Sequence, residues 1–157
     1  MSVQTTTLRL AAMCREIEGV RTAFDNIPRV LQDAELPAFV IYPGRAALVD
    51  ADLTGEGDLI EQRTYTMTLY LIKAAYGTEY QAQTSIVPFF DRVRDYFMAR
   101  PGLEYGNDPA SNPRVFDTAW RGDNGFDVLR YPLSGTPYAA IEFNLQVDEW
   151  AAIAYQD

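Results

Sequence analysis

The chain has 157 residues, the length of one domain (residues 1–157), and 48% of them are hydrophobic, so it can bury a core. Its 22 acidic residues outnumber 13 basic ones and give a net charge of −9, which disfavours binding to a nucleic-acid backbone. The absence of histidine removes the commonest general base and zinc ligand, and it excludes Ser–His and Cys–His nucleophile pairs within one chain.

The first predicted element is a helix near the N-terminus. Leu10, Met13, Cys14 and Ile17 fall on one helical face, and a threonine among residues 5–7 is the expected cap. On this apolar stripe, Cys14 is expected to be a small buried side chain rather than a nucleophile. The single cysteine, and an N-terminus without the pattern of a signal peptide, predict a protein of a reducing cytoplasm.

The stretch "AELPAFVIYPG" (residues 34–44) follows an irregular connection that contains Pro28. Residues 39–41 predict a short buried strand. Pro37 and Pro43 cannot donate hydrogen bonds to a strand ladder, so we expect them to mark the ends of this strand or an exposed edge.

Residues 44–59 predict a polar loop that carries Asp50, Asp52, Glu56 and Asp58. Such carboxylates are ligands that calcium and magnesium prefer. The spacing lacks the third ligand, the glycine and the distant glutamate of an EF-hand loop, however. A solvated loop without a metal is therefore the favoured interpretation, and no cofactor is predicted anywhere in the chain.

The segment "IEQRTYTMTLYLIKAAY" is the strongest strand prediction in the sequence. Tyr65, Met67, Leu69 and Leu71 fall on one face, and the threonines at 64, 66 and 68 fall on the other. This alternation predicts a strand with one buried face.

A helix is predicted next, because Ile86, Phe90, Val93 and Phe97 recur at helical spacing. Pro88 suits the first turn of a helix that begins near residue 84 or 85. A longer, kinked helix from residue 78 is the alternative. Either helix is expected to stop at the Pro-Gly pair at 101–102.

The third quarter of the chain predicts a loop and then two strands. Residues 104–114, "EYGNDPASNPR", have the composition of a surface loop and include Asn107 and Asp108. "VFDTAW", "RGDNG" and "FDVLRY" then predict a strand, a tight turn and a second strand. The turn contains Arg121 and Asp123, and its Arg-Gly-Asp sequence is better explained by this turn than by cell adhesion.

The last strand has the clearest alternation in the chain. One face is expected to be buried and the other, which includes Ala140 and Glu142, to be wet. The predicted buried residues are Ala139, Ile141, Phe143, Leu145 and Val147. Together the elements predict an α+β domain with a mostly antiparallel sheet, two main flanking helices and a protruding hairpin or loop for subunit contacts.

In this order, the elements resemble the tail terminator (tail completion, or minor tail) proteins of long-tailed bacteriophages. The similarity is carried mainly by "LPAFVIYPG" and by the strand pattern R-x-Y-x-M-x-L-Y-L, which begins at Arg63. The helix "SIVPFFDRVRDYFMARPGL" and the closing strand "YAAIEFNLQVDEW" extend it over nearly the whole chain. It is a likeness in the order of elements and contains no invariant signature.

The resemblance implies a structural virion protein with no catalytic residue. Members of this family form a ring, typically a hexamer, that caps the tail tube, stops its polymerisation and offers a surface for joining the head. The implied partners are further copies of the chain, the tail tube protein and a head-completion or connector protein. DNA passes through the ring without specific binding, and no membrane is involved. The implied location is the tail of the virion, after assembly in the host cytoplasm.

Long loops often carry function, so three regions are the candidates for the ring interface or lumen. They are the acidic loop, the loop at 104–114 and the predicted turn at 121–125. Their candidate residues are Asp50, Asp52, Glu56, Asp58, Asn107, Asp108, Arg121 and Asp123. The acidic loop is the candidate for the lumen.

Three alternatives stay open at this point. Another ring protein of the head–tail neck would share the size and the acidity. An enzyme could use Asp50, Asp52 and Glu56 on a metal. A domain that binds a small ligand would use a cavity lined by tyrosines.

Overall fold

Two α-helices and five strands lie within the part of the chain that a computed structural model describes, which is residues 2–26, 28, 30–53, 59–75, 79–103, 114–130 and 137–153. The elements in chain order are α1 (Ser2–Cys14), β1 (Thr22–Phe24), a short 3-10 turn (Asp33–Glu35), β2 (Ala38–Leu53), β3 (Leu59–Ala75), α2 (Glu79–Met98), β4 (Arg114–Arg130) and β5 (Pro137–Ile153).

The strands form one sheet in the order β1–β2–β3–β5–β4. The short β1 pairs with β2 in parallel, and the other three neighbouring pairs are antiparallel. The prediction of an α+β fold with a mostly antiparallel sheet is confirmed.

Both helices pack on one face of this sheet. The alternating residues predicted for β3 and β5 form the sheet side of the core, and every one of them is buried. The helices supply the other side of the core, with Leu10, Met13 and Cys14 from α1 and Ile86 and Phe97 from α2. Burying one such side chain contributes about 1.5–3 kcal/mol, so this interface is the main source of stability.

The longer of the two α2 predictions is correct. The helix begins at Glu79, and Pro88 lies in its interior rather than in its first turn. The exposed Pro88 is tolerated because the apolar stripe that contains Ile86, Phe89 and Val93 packs on the sheet and outweighs one missing backbone hydrogen bond.

The start of α1 also differs from the prediction. The helix begins at Ser2, before the threonines predicted to cap it. Thr6 is instead fully buried, and its hydroxyl lies 2.6 Å from the hydroxyl of Tyr65.

The opposite face of the sheet has a smaller apolar cluster. Leu31 and Leu36, in the connection between β1 and β2, cover Val40, Ile72 and Ala140. Ala140 was expected to be wet, and this prediction is wrong because the connection lies over this end of the sheet.

Strand β2 is much longer than predicted. Residues 44–53 were expected to form a loop, but they continue the strand and pair with β3 as far as Leu53, which lies opposite Leu59. Pro43 is therefore within the strand, opposite Met67, and an irregularity in register follows it. Since β1 pairs only with residues 38–40, Pro43 lies on an edge that no other described strand pairs with, and a missing N–H is tolerated there.

Strand β4 is continuous where a strand, a turn and a strand were predicted. It runs past the "RGDNG" sequence with two register shifts, one between Trp120 and Asp123 and one between Asp123 and Phe126. Gly122 and Gly125 have φ angles of 91° and 79°, which a bulge accommodates as readily as a turn does. The prediction of a tight turn is therefore wrong, because the chain continues in the same direction through two bulges.

Candidate interaction surfaces

The strands of the sheet continue past the core residues whose burial the structure describes. In β3 the last of these core residues is Tyr65, and the strand has six further residues back to Leu59. At about 3.3 Å per residue, these add about 20 Å of paired strand. We call this region the far end of the sheet and define it as residues 47–53, 59–64, 114–117 and 148–153.

The far end is rich in acidic residues. The strand register places six carboxylate residues there but only two cationic ones. The acidic residues are Asp50, Asp52, Glu61, Asp117, Asp148 and Glu149, and the cationic ones are Arg63 and Arg114. An excess of carboxylates of this kind disfavours binding to the phosphate backbone of DNA.

The described start of one candidate region lies at the far end. Asp50 pairs with Gln62, and the same row continues through Trp150 of β5 to Val115 of β4. The row thus joins Asp50 to the first residues of β4. Asp52 lies two residues further along β2.

Four of the candidate residues lie outside the described part of the chain: Glu56, Asp58, Asn107 and Asp108. Arg121 and Asp123 are described, and they lie in the middle of β4, away from the far end of the sheet. Asp123 pairs with Phe143 in the middle of β5, so the sheet does not bring these two residues to the far end.

Arg121 belongs to a polar network on the face of the sheet opposite the helices. Its Nε donates to Oε1 of Gln146 at 3.0 Å. The Gln146 amide donates to Oδ1 of Asp148 at 3.3 Å, and the Thr64 hydroxyl donates to the same oxygen at 2.7 Å. The bulge in β4 is thereby tied to β5 and β3.

Glu142 is the centre of a second group on this face. It accepts hydrogen bonds from the Tyr70 hydroxyl at 3.2 Å and from the Asn124 amide. The Tyr42 ring packs edge-on against Tyr70 with 5.2 Å between centroids, and burial raises the pKa of Tyr42. Asp123 is not in this group, since its Oδ1 accepts the backbone N–H of Gly125 at 2.8 Å.

A cleft of about 510 Å³ lies towards the other end of the sheet. It is bounded by α2, by the segment that follows α1, by the start of β2 and by the end of β3. Arg21, Lys73 and Arg92 line it together with Phe89. Sequence reasoning missed this cleft, because its three cationic residues come from separate segments and form no local motif.

The described side chains contain no metal-ligand cluster, and the sequence comparisons found no relative. Among the side chains that the structure describes, no three Cys, Asp or Glu residues are grouped so that they could hold a metal ion. No helix within the described ranges is both long and apolar enough to cross a membrane. No protein-family model matches the sequence, and no curated protein matches it.

Proposed function

We propose that the chain is a tail terminator of a long-tailed bacteriophage, a structural protein that forms a ring on the end of the tail tube. The resemblance in the order of elements supports this proposal. The chain has an N-terminal helix, the strand from "LPAFVIYPG", the long strand β3, one long helix and two closing strands.

The observation that carries the proposal is the acidic far end of the sheet. Four strands extend past the described helix-packed core, β3 by about 20 Å, and their residues there include three times as many acidic as basic ones. In a ring, such an extension reaches the neighbouring copy or the lumen. An acidic lumen lets DNA pass without being trapped.

The proposed mechanism is steric. One face of the ring binds the last ring of tube subunits, and the other face lacks the surface that a further tube ring needs, so polymerisation stops. The free face then joins the head through a connector protein. Copies within the ring contact each other through two unlike patches, as cyclic symmetry requires.

The edges of the sheet provide candidates for one of these patches. Strand β2 pairs with β1 only at residues 38–40, so its outer edge is unpaired from Ile41 to Leu53 within the described chain. The opposite edge, β4, has two bulges that disfavour the addition of a strand. We therefore assign the contact with a neighbouring copy to the β2 edge.

No specific observation favours a tyrosine-lined binding cavity. Tyr65 and Tyr138 are buried in two different apolar clusters, and the cleft described above is lined by cationic residues. A neck ring protein stays the alternative with the same physical requirements.

Native mass spectrometry tests the ring. Six copies of 17.7 kDa give about 106 kDa, and we expect this species at high protein concentration, or in the presence of tail tubes if assembly needs the tube. A chain that stays monomeric under both conditions would refute the proposal. Genes for a tail tube protein and a tape-measure protein beside this gene would distinguish a terminator from a neck protein.

A further inference from the structure

Three cationic side chains converge on one cleft of a strongly acidic protein. Arg21, Lys73 and Arg92 line it, and none of the described residues that line it is a carboxylate. Within the described part of the chain, neither Arg21 nor Lys73 forms an ion pair. Like charges repel at short range, so this grouping is unfavourable unless an anion offsets it.

Two of these cations are held against the same aromatic ring. The guanidinium carbon of Arg92 lies 5.0 Å from the centroid of Phe89, and the Lys73 ammonium lies 6.0 Å from it. Arg92 also donates to the backbone carbonyl of Glu18 at 2.8 Å, which fixes its position. Lys73 and Arg92 are thus directed into one space by packing.

Gly19 makes room for this arrangement. A Cβ atom there would lie 2.9 Å from Nη1 of Arg92 and 3.0 Å from Cζ of Phe89, and the residue has a φ of 91°. The conformation favours glycine, and a Cβ atom would also displace the Arg92 guanidinium and the Phe89 ring. The wall of the cleft is therefore closely fitted around Arg92.

We propose that this cleft is a binding site for a carboxylate or phosphate group. The planar donors of Arg21 and Arg92 match either oxyanion, and Lys73 adds a third positive charge. Pro37 and Pro88 also line the cleft, which suits an oxyanion attached to an apolar body. The oxyanion comes from a small soluble anion or from a carboxylate of a second copy of this acidic chain.

Isothermal titration calorimetry of the full chain with inorganic phosphate and with benzoate, at constant ionic strength, tests the soluble source. We expect binding that becomes about tenfold weaker in Arg21→Gln and in Lys73→Gln, since each removes a charged donor. Arg94→Gln is the matched control, because this exposed arginine lies on the same helix as Arg92 and pairs with Asp91 and Asp95. Arg92 is left intact because its bond to Glu18 supports the fold.

Sedimentation velocity over a range of protein concentrations tests the second copy as the source. Self-association that both cleft variants weaken, and that Arg94→Gln leaves unchanged, would support the site with a protein carboxylate as its ligand. The proposal is overturned if neither anion binds and the cleft variants associate like the wild type. It is equally overturned if Arg94→Gln weakens binding as much as the cleft variants do.

Discussion

At the scale of single residues, the contact between Thr6 and Tyr65 joins α1 to the sheet. Both side chains are buried, and their hydroxyl groups lie 2.6 Å apart. A buried hydroxyl that loses its hydrogen-bond partner destabilises the fold, because water cannot replace that partner in the core. Removing both hydroxyls avoids this cost.

We expect Tyr65→Phe to lower the free energy of unfolding by about 1–2 kcal/mol, because it leaves the Thr6 hydroxyl in an apolar core. Denaturant unfolding of Tyr65→Phe, Thr6→Val and the double variant measures the effect. The double variant should be less destabilised than the sum of the two single changes. Strict additivity would show that the two hydroxyls do not depend on each other.

Cys14 gives a prediction about pH. Complete burial raises the pKa of the thiol above its ordinary value of 9.0, and the nearby charge of Arg15 lowers it by less. The folded protein thus keeps the proton while the unfolded chain loses it above pH 9. The free energy of unfolding should therefore fall with rising pH above 9, by about 1.4 kcal/mol per pH unit.

The matched control for this slope is Cys14→Ala, which has no thiol to titrate. Urea unfolding between pH 8 and pH 10 measures the free energy of unfolding of both proteins. The difference between their two values should be constant below pH 9 and become smaller above it. A difference that stays constant over the whole range would contradict the assignment to Cys14.

At the scale of elements, the bulges of β4 depend on two glycines with positive φ. An added Cβ at Gly122 or Gly125 meets nothing within 4 Å, so the cost of alanine there is conformational alone. We expect each Gly→Ala change to lower the melting temperature by several degrees, equivalent to about 1 kcal/mol. Gly102→Ala is the control, since Gly102 has equal space without a positive φ, and a similar loss there would exclude this explanation.

The strands of the sheet differ in how well the sequence predicts them. The alternation in β3 and β5 identified their buried faces correctly, because a pleated strand with one buried face must alternate. Pro43 was predicted to mark a strand end or an exposed edge, and it lies on the edge. The "RGDNG" sequence was predicted to be a turn between two strands, and this prediction is wrong because it lies within β4. Residues that favour turns also favour bulges, and a partner strand far away in the sequence decides between the two.

The cationic cleft could not be predicted for a related reason. Arg21 lies between α1 and β1, Lys73 lies near the end of β3 and Arg92 lies on α2, so only the packing of these separate elements brings the three residues together. The acidic composition of residues 50–58 was visible in the sequence, but its continuation onto β4 and β5 depends on the register of the sheet.

At the scale of the whole molecule, charge is separated along the sheet. Carboxylate residues dominate the far end, and the cationic cleft lies towards the opposite end. Two unlike, oppositely charged regions suit head-to-tail contacts between copies, which close into a ring. This separation is the physical basis for the proposed terminator.

The most direct test of the terminator is electron microscopy of tail tubes assembled with and without this chain, using the tail tube protein encoded in the same genome. The account predicts that the chain binds as a ring at one end of each tube and that tubes stop growing once it is bound. Tubes that keep growing at the same rate, with no ring at either end, would contradict it.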